Sequence, residues 1–182
     1  MEVAWRVVAR RGIEAMTLRD VAAEAGFANG AIKPYFPTKE SLVQATYLYV
    51  FERTNLRIEA SVAGLGGLAA LRAFGLEILP LDAVRLDEAR VVIPFWQMAI
   101  HDAGKTATNA AAMKEWRASM ERWLGEAGES GSIKAGLPVA TIAEGLLTFL
   151  LGAQVVAVLD PKFNSPRQLE AQLDAQLERL RA

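Results

Sequence analysis

The chain has no cysteine and a single histidine, His101, among its 182 residues. Those scarcities exclude a disulfide framework, a thiolate metal site and a cysteine nucleophile, and they leave one imidazole for acid–base work. Neither sign of charge predominates, since 20 Lys and Arg stand against 21 Asp and Glu for a formal net charge of −1. No global attraction to nucleic acid or acidic membranes follows, so any DNA-binding surface has to be a local patch. Residues 1–50 carry six basic and five acidic side chains, which leaves the N-terminal part without a strong field of its own. Glycine (14) and proline (7) are too few for a fibrous or low-complexity chain.

The N-terminus lacks the cationic, apolar, then small-residue order of a signal peptide. The most apolar stretch is 137–159, but Glu144 and Gln154 interrupt it. Its charge-free part, 145–159, falls short of the roughly 20 residues that span a bilayer. The expectation is a buried helix in a soluble, cytoplasmic protein. His101 has no second histidine or Glu-x-x-His partner, so no catalytic residue, metal site or cofactor is expected.

What the chain does have is helical periodicity almost throughout, with no run alternating as a half-buried strand would. The fold expected is all-α, with about nine helices. The first covers 2–11 and stops at Gly12. The second begins at Thr17, whose hydroxyl can cap the Asp20 amide while Asp20 reaches back, and it ends at Gly26. A very short third helix spans 29–33 and is stopped by Pro34, which has no N–H to donate. Thr38 caps a long fourth helix over 39–61. Further helices are expected over 68–79, 83–102, 107–125, 139–159 and 166–181. Pro94, within the sixth of these nine, should open its helix locally.

Two helices joined at Gly26-Phe27-Ala28, the first capped and the second short, fit a helix-turn-helix. In that geometry the second helix braces the unit and the third offers its first residues to the major groove. Asn29 can pair with adenine or bond a phosphate, while Gly30 and Ala31 allow close backbone approach. Lys33, Tyr35 and Lys39 suit phosphates, and Thr38-Lys39 opens a helix whose free N–H groups favour an anion. Glycine-linked helix pairs also occur in many helical proteins that never touch DNA, so geometry alone leaves this open.

The residues themselves go further. Thr17-Leu18-Arg19-Asp20-Val21-Ala22-Ala23-Glu24-Ala25-Gly26-Phe27, then Gly30-Ala31-Ile32 and Tyr35-Phe36-Pro37-Thr38-Lys39-Glu40-Ser41-Leu42, closely resemble the TetR family of one-component transcriptional regulators. The C-terminal part is similar to the choline-responsive, BetI-like branch through Phe95-Trp96, Trp116-Arg117 and Ala153-Gln154, a looser match. The resemblance implies a homodimer with a helix-turn-helix DNA-binding domain over 1–45 and a ligand-binding and dimerisation domain over 46–182. It implies a repressor that leaves a palindromic double-stranded operator when a small apolar or amphipathic effector binds. Carried over by position, Thr17 and Arg19 open the supporting helix, Asn29, Gly30, Ala31 and Lys33 form the reading face, and Tyr35 and Lys39 anchor phosphates. Three departures stand out: Ala28 where a capping serine is common, Lys33-Pro34 where aromatics are common, and no basic arm ahead of the first helix. They keep open a helical ligand-binding protein with weak or lost DNA binding.

For an effector site the middle helices offer Phe95, Trp96 and Ala99 on one face, then Trp116, Met120 and Trp123 in a stripe, with Phe149 and Gln154 on the apolar helix. Such a stripe is also the pattern of plain core. The apolar helix and the last helix, with Leu169, Leu173, Leu177 and Leu180 on one face, are the expected dimer interface; an internal hairpin is the other reading.

Overall fold

A computed structural model describes residues 1–28 and 30–182. Among the described residues there are eight α-helices: α1 (Glu2–Ala15), α2 (Leu18–Glu24), α3 (Lys39–Val62), α4 (Gly67–Ile78), α5 (Ala83–Ala99), α6 (Ala103–Glu129), α7 (Val139–Leu159) and α8 (Pro166–Glu178). Among the described residues there is no strand, only a bridge between Ile133 and Arg181 that ties the C-terminus to the α6–α7 loop.

The short third helix expected over 29–33 is not helical over its described residues. Residues 30–36 wind through turns, in which Lys33 N–H bonds Gly30 O at 3.1 Å and Phe36 N–H bonds Ile32 O at 2.9 Å. Gly30 sits at φ +88°, outside the right-handed region, and Pro34 has no donor to extend a ladder. The other stops and starts follow local chemistry. Gly12 breaks α1 at φ +72°. Thr17 and Asp20 form the capping box of α2, with Asp20 N–H bonding Thr17 Oγ1 at 3.1 Å. Phe27 N–H then bonds Ala22 O at 2.8 Å and Gly26 N–H bonds Ala23 O at 3.1 Å, the Schellman closure of α2. Thr38 caps α3 with Ser41 as its reciprocal partner. α6 starts earlier than its apolar pattern implies, because Asp102 caps it by accepting from Lys105 N–H at 3.0 Å. α5 continues through Pro94, which leaves the Arg90 carbonyl without its usual donor four residues on.

Two cores result. The N-terminal core gathers Trp5, Val7 and Val8 of α1, Val21 of α2, Leu42 and Tyr47 of α3, and Val91, Phe95 and Ala99 of α5. The larger core is built from α4, α6, α7 and α8, with Phe74, Trp116, Met120 and Trp123 buried among aliphatic side chains. α3 and α5 serve both. α7 has a mean hydropathy of 2.0 over its window, and it packs on α5 and α6 as a helix of the larger core. The leucine face of α8 is spent inside the chain: Leu169, Leu173 and Leu177 are buried. Arg72 on α4 fastens α8 from outside, reaching Asp174 at 2.6 Å and Glu170 at 2.7 Å.

Close contact of α4 with α8 depends on one missing side chain. A Cβ on Gly75 would stand 2.7 Å from Leu173 Cδ2 and 3.1 Å from Leu173 Cδ1. Gly75→Ala therefore pushes the Leu173 methyls aside in a buried seam at a cost of about 1–3 kcal/mol, offset by up to about 1 kcal/mol in helix propensity. Thermal unfolding should show a Tm lower by about 4 °C, partly restored when Leu173→Val is added.

Candidate DNA interface and effector cavity

An open groove lies where the end of α1, the start of α2, the turns over 30–36 and the start of α3 converge. Thr17, Arg19, Gly30, Lys33, Thr38 and Lys39 all line it. Six of the nine residues expected at the DNA thus share one concavity. Ala31 and Tyr35 lie beside it, and Tyr35 is 79% exposed, so its ring is free to meet a backbone. Asn29 lies outside the described residues. Lys39 has a second task, since its Nζ donates to Glu14 O at 2.9 Å and closes the end of α1 onto α3. Asp20 is also doubly used. The Thr17 hydroxyl and amide hold its carboxyl below the usual value, with Arg11 at 3.5 Å adding to the effect. Among the described residues, Arg19 and Lys33 have no such ion pair.

Further along the chain, α3 to α7 enclose a cavity of about 30 Å³. That is room for one or two waters rather than for a metabolite, so the site is shut in this structure. Trp96, Trp116 and Gln154, expected at an effector site, line it. Phe95 and Ala99 lie in the N-terminal core instead, Met120 and Trp123 in the larger core, and Phe149 packs against that core. The cavity wall also includes residues that the sequence reading did not single out, chiefly Tyr47, Phe51, Glu77, Arg85 and Glu88. The Tyr47/Phe51 pair, four residues apart on a helix, was the available signal for two of them. The carboxylates and guanidiniums lie on helices whose charges read as solvated, and only packing shows otherwise.

The rings form a continuous file. Phe95 stacks on Tyr47 at 3.8 Å between centroids, Tyr47 lies 6.3 Å from Phe51, and Phe51 lies 5.1 Å from Trp116. Phe74 then meets Trp116 edge-on at 5.6 Å, and Trp123 follows at 5.5 Å. The polar atoms of these rings are turned to asparagines. Asn109 Oδ1 accepts from Tyr47 Oη at 3.1 Å and from Trp96 Nε1 at 3.0 Å, and Asn55 Oδ1 accepts from Trp116 Nε1 at 2.8 Å. Burial pushes the Tyr47 phenol up to about 12, so it stays neutral at any physiological pH.

At the other end of the cavity sits a neutralised charge cluster. Arg57 grips Glu88 with both Nη atoms, at 2.9 and 2.7 Å, and reaches Glu77 through Nε at 3.2 Å. Arg85 Nη2 donates to Glu77 at 3.0 Å, and Ser61 Oγ donates to the same carboxylate at 2.9 Å. Burial works against the Arg57 charge, but the carboxylates of Glu88 and Glu77 outweigh it and raise its pKa. Arg85 Nε, by contrast, is buried without a partner among the described residues. An orphaned donor costs about 1–3 kcal/mol and calls for an explanation.

Comparison with known proteins settles the family. Residues 68–182 match the family described as "BetI-type transcriptional repressor, C-terminal", and residues 1–46 match "Bacterial regulatory proteins, tetR family". The chain belongs to the TetR family of transcriptional regulators. It is a DNA-binding regulator with a ligand-binding domain. It is 29% identical over 161 residues to the HTH-type transcriptional regulator PksA of Bacillus subtilis, covering 88% of this chain and 77% of PksA. A transcriptional regulator from Rhodococcus sp. Rha1 superposes with a TM-score of 0.86 at 26% identity, covering 98% of this chain and 92% of that one. A regulator from Saccharomonospora viridis, solved in complex with choline, superposes with a TM-score of 0.87 at 20% identity, covering 97% and 92%.

The Arg57–Glu88 pair gives a direct test of the wall's energetics. Glu88 is 5% exposed, so Glu88→Leu removes the bidentate partner of Arg57, leaves the cluster with one positive charge in excess over Glu77, and should cost about 1–3 kcal/mol in urea unfolding. Arg57→Met together with Glu88→Leu should recover most of that loss, because what destabilises is the single unpaired charge.

Proposed function

We propose that this regulator is a repressor that leaves a palindromic operator when a small apolar or amphipathic effector enters the cavity between α3 and α7. The observation that carries the reading is the double use of α5. Its Arg85, Glu88, Val92 and Trp96 wall the cavity, while its Val91, Phe95 and Ala99 are the floor on which α1 rests. An effector that pushes Trp96 aside moves the helix that supports the DNA-binding domain. Residues 1–45 are the DNA-binding domain in this reading, and 46–182 bind the effector and a second copy of the chain. Induction requires the effector to bind the operator-free arrangement more tightly than the bound one.

On the DNA side, Arg19, Lys33 and Tyr35 are the exposed contacts, with Gly30 and Ala31 allowing close approach and Thr17, Thr38 and Lys39 at the helix starts offering hydrogen bonds to phosphate. Dimerisation runs through the outer face of α7. Thr141, Gly145, Thr148, Gly152, Val156 and Leu159 are exposed at helical spacing, an uncharged stripe whose glycines let a partner's helix approach closely. The leucines of α8 are consumed internally, so α8 contributes its outer face, where Ala171 and Ala175 are exposed. A regulator of this kind works in the compartment that holds the DNA, the cytoplasm.

A second reading, ligand binding with weakened DNA contact, is favoured by the turns over 30–36 where a reading helix is expected. Fluorescence anisotropy on duplexes from upstream of the regulator's own gene separates the two. The repressor reading expects nanomolar binding over a scrambled duplex, with Arg19→Ala and Lys33→Ala each lowering the slope of log K against log salt by about one. Equal affinity for both duplexes supports the second reading. Sedimentation should give twice the 19.8 kDa chain mass, and Gly152→Arg should return the chain to a monomer that no longer binds the operator tightly.

A further inference from the structure

We infer that the effector of this regulator is a neutral molecule with a flat unsaturated ring and a hydrogen-bond-accepting oxygen, seated on the aromatic file and bound through Arg85 Nε–H and the Gln154 amide, and that it is not a cation. The inference rests on the reading of the cavity as the effector site and specifies what that site selects.

Most polar atoms of the wall already have partners, including Thr54 Oγ1, which accepts from Arg57 Nη2 at 3.3 Å. Both oxygens of Glu88 are taken by Arg57, and both oxygens of Glu77 have donors in Arg57, Arg85 and Ser61. The indoles of Trp96 and Trp116 and the Tyr47 hydroxyl are bound to Asn109 and Asn55. What remains is the buried Arg85 Nε–H, which has no acceptor, and Gln154, which is 7% exposed, lines the cavity and has no hydrogen bond among the described residues. A molecule that completes this wall brings an acceptor to Arg85, and its hydroxyl or carbonyl has an amide to meet at Gln154.

Charge decides against the ions. Aromatic faces beside carboxylates are the usual cradle of a quaternary ammonium, because ring quadrupole and negative charge act together. Here two guanidiniums cancel the two carboxylates, and Arg85 itself stands in the wall, so a buried cation gains ring contact and meets a positive neighbour. A carboxylate could bond Arg85, but with Arg57 and Arg85 already neutralised by Glu77 and Glu88 it would bury a net negative charge. A neutral oxygen satisfies the orphaned donor without disturbing the balance. With their polar atoms tied away from the cavity, Tyr47, Trp96 and Trp116 offer ring surface, and Phe51 adds more, which favours a flat body over a globular one.

The test uses four probes built on one phenyl ring, with the full-length protein: acetophenone, ethylbenzene, benzoate and benzyltrimethylammonium, titrated by ligand-observed NMR. Acetophenone should bind about tenfold more tightly than each of the others. Arg85→Lys keeps a positive charge near Glu77 but removes the Nε–H, and should bring acetophenone to within about threefold of ethylbenzene. Gln154→Leu should reduce the same preference in a wall without charge changes, which covers the case of a poorly folded Arg85 variant. Leu151→Trp fills the cavity and should abolish saturable binding of all four. Tighter binding of benzyltrimethylammonium or benzoate overturns the inference while leaving the cavity as the effector site, provided Leu151→Trp still blocks it. Binding that survives Leu151→Trp, or no saturable binding by any probe, overturns the reading of the cavity itself. A preference for acetophenone that survives both wall variants overturns the roles of Arg85 and Gln154.

Discussion

Tyr47 lying flat on Phe95 is the joint of the molecule. One ring comes from the long helix that follows the DNA-binding segment, the other from the helix on which that segment rests, and their centroids are 3.8 Å apart. Without that stack the N-terminal core would have no floor and the cavity no inner wall. The phenol edge continues the constraint, because the single Oδ1 of Asn109 accepts from both Tyr47 and Trp96 and so fixes α3 and α5 to α6 at one point. Packed aromatic rings adopt discrete arrangements rather than sliding smoothly, so a change at one end of the file is felt as a repacking at the other.

The charge cluster complements the stack by stiffening the opposite end of the cavity. Its four charged side chains come from α3, α4 and α5, and they are held together at distances of 2.7–3.2 Å. Buried ion pairs of this kind add little net stability compared with apolar packing, but they tolerate few alternative arrangements, because any unpaired charge in the interior is costly. A cavity with one rigid polar end and one aromatic end discriminates by where an entering molecule places its polar atom.

Much of the N-terminal half was legible in the sequence because its signals are local. Thr17 with Asp20, Gly26 after α2, Thr38 with Ser41 and the break at Gly12 are each set by residues within a few positions, and the structure has each of them. Lys39 shows the limit: its pattern reads as a phosphate contact, yet its Nζ also serves Glu14 O, a bond across 25 residues that no local pattern announces. The cavity was less legible for the same reason. Trp96 and Trp116 stand out by size, whereas Glu77, Arg85 and Glu88 look like solvated charges until α3 brings Arg57 to them. Phe95 and Trp96 are neighbours in the chain and end in different surroundings, one in the N-terminal core and one at the cavity, because helical rotation separates them by about 100°. The leucines of α8 have the spacing of an interface helix, yet they are buried within the chain, with Leu173 set against the bare backbone of Gly75 on α4.

The closed state of the cavity has a bearing on time. Trp116 lines both the cavity and an open groove between α3 and α6, and its indole is latched by Asn55. If the cavity takes the proposed effector by this route, the wall has to part first, a motion of about microseconds to milliseconds, so that opening rather than collision would pace arrival at high concentration. Departure passes through the same narrow event. On the proposed reading of the cavity, entry and exit then share one gate, the swing of the Trp116 indole away from the Asn55 amide.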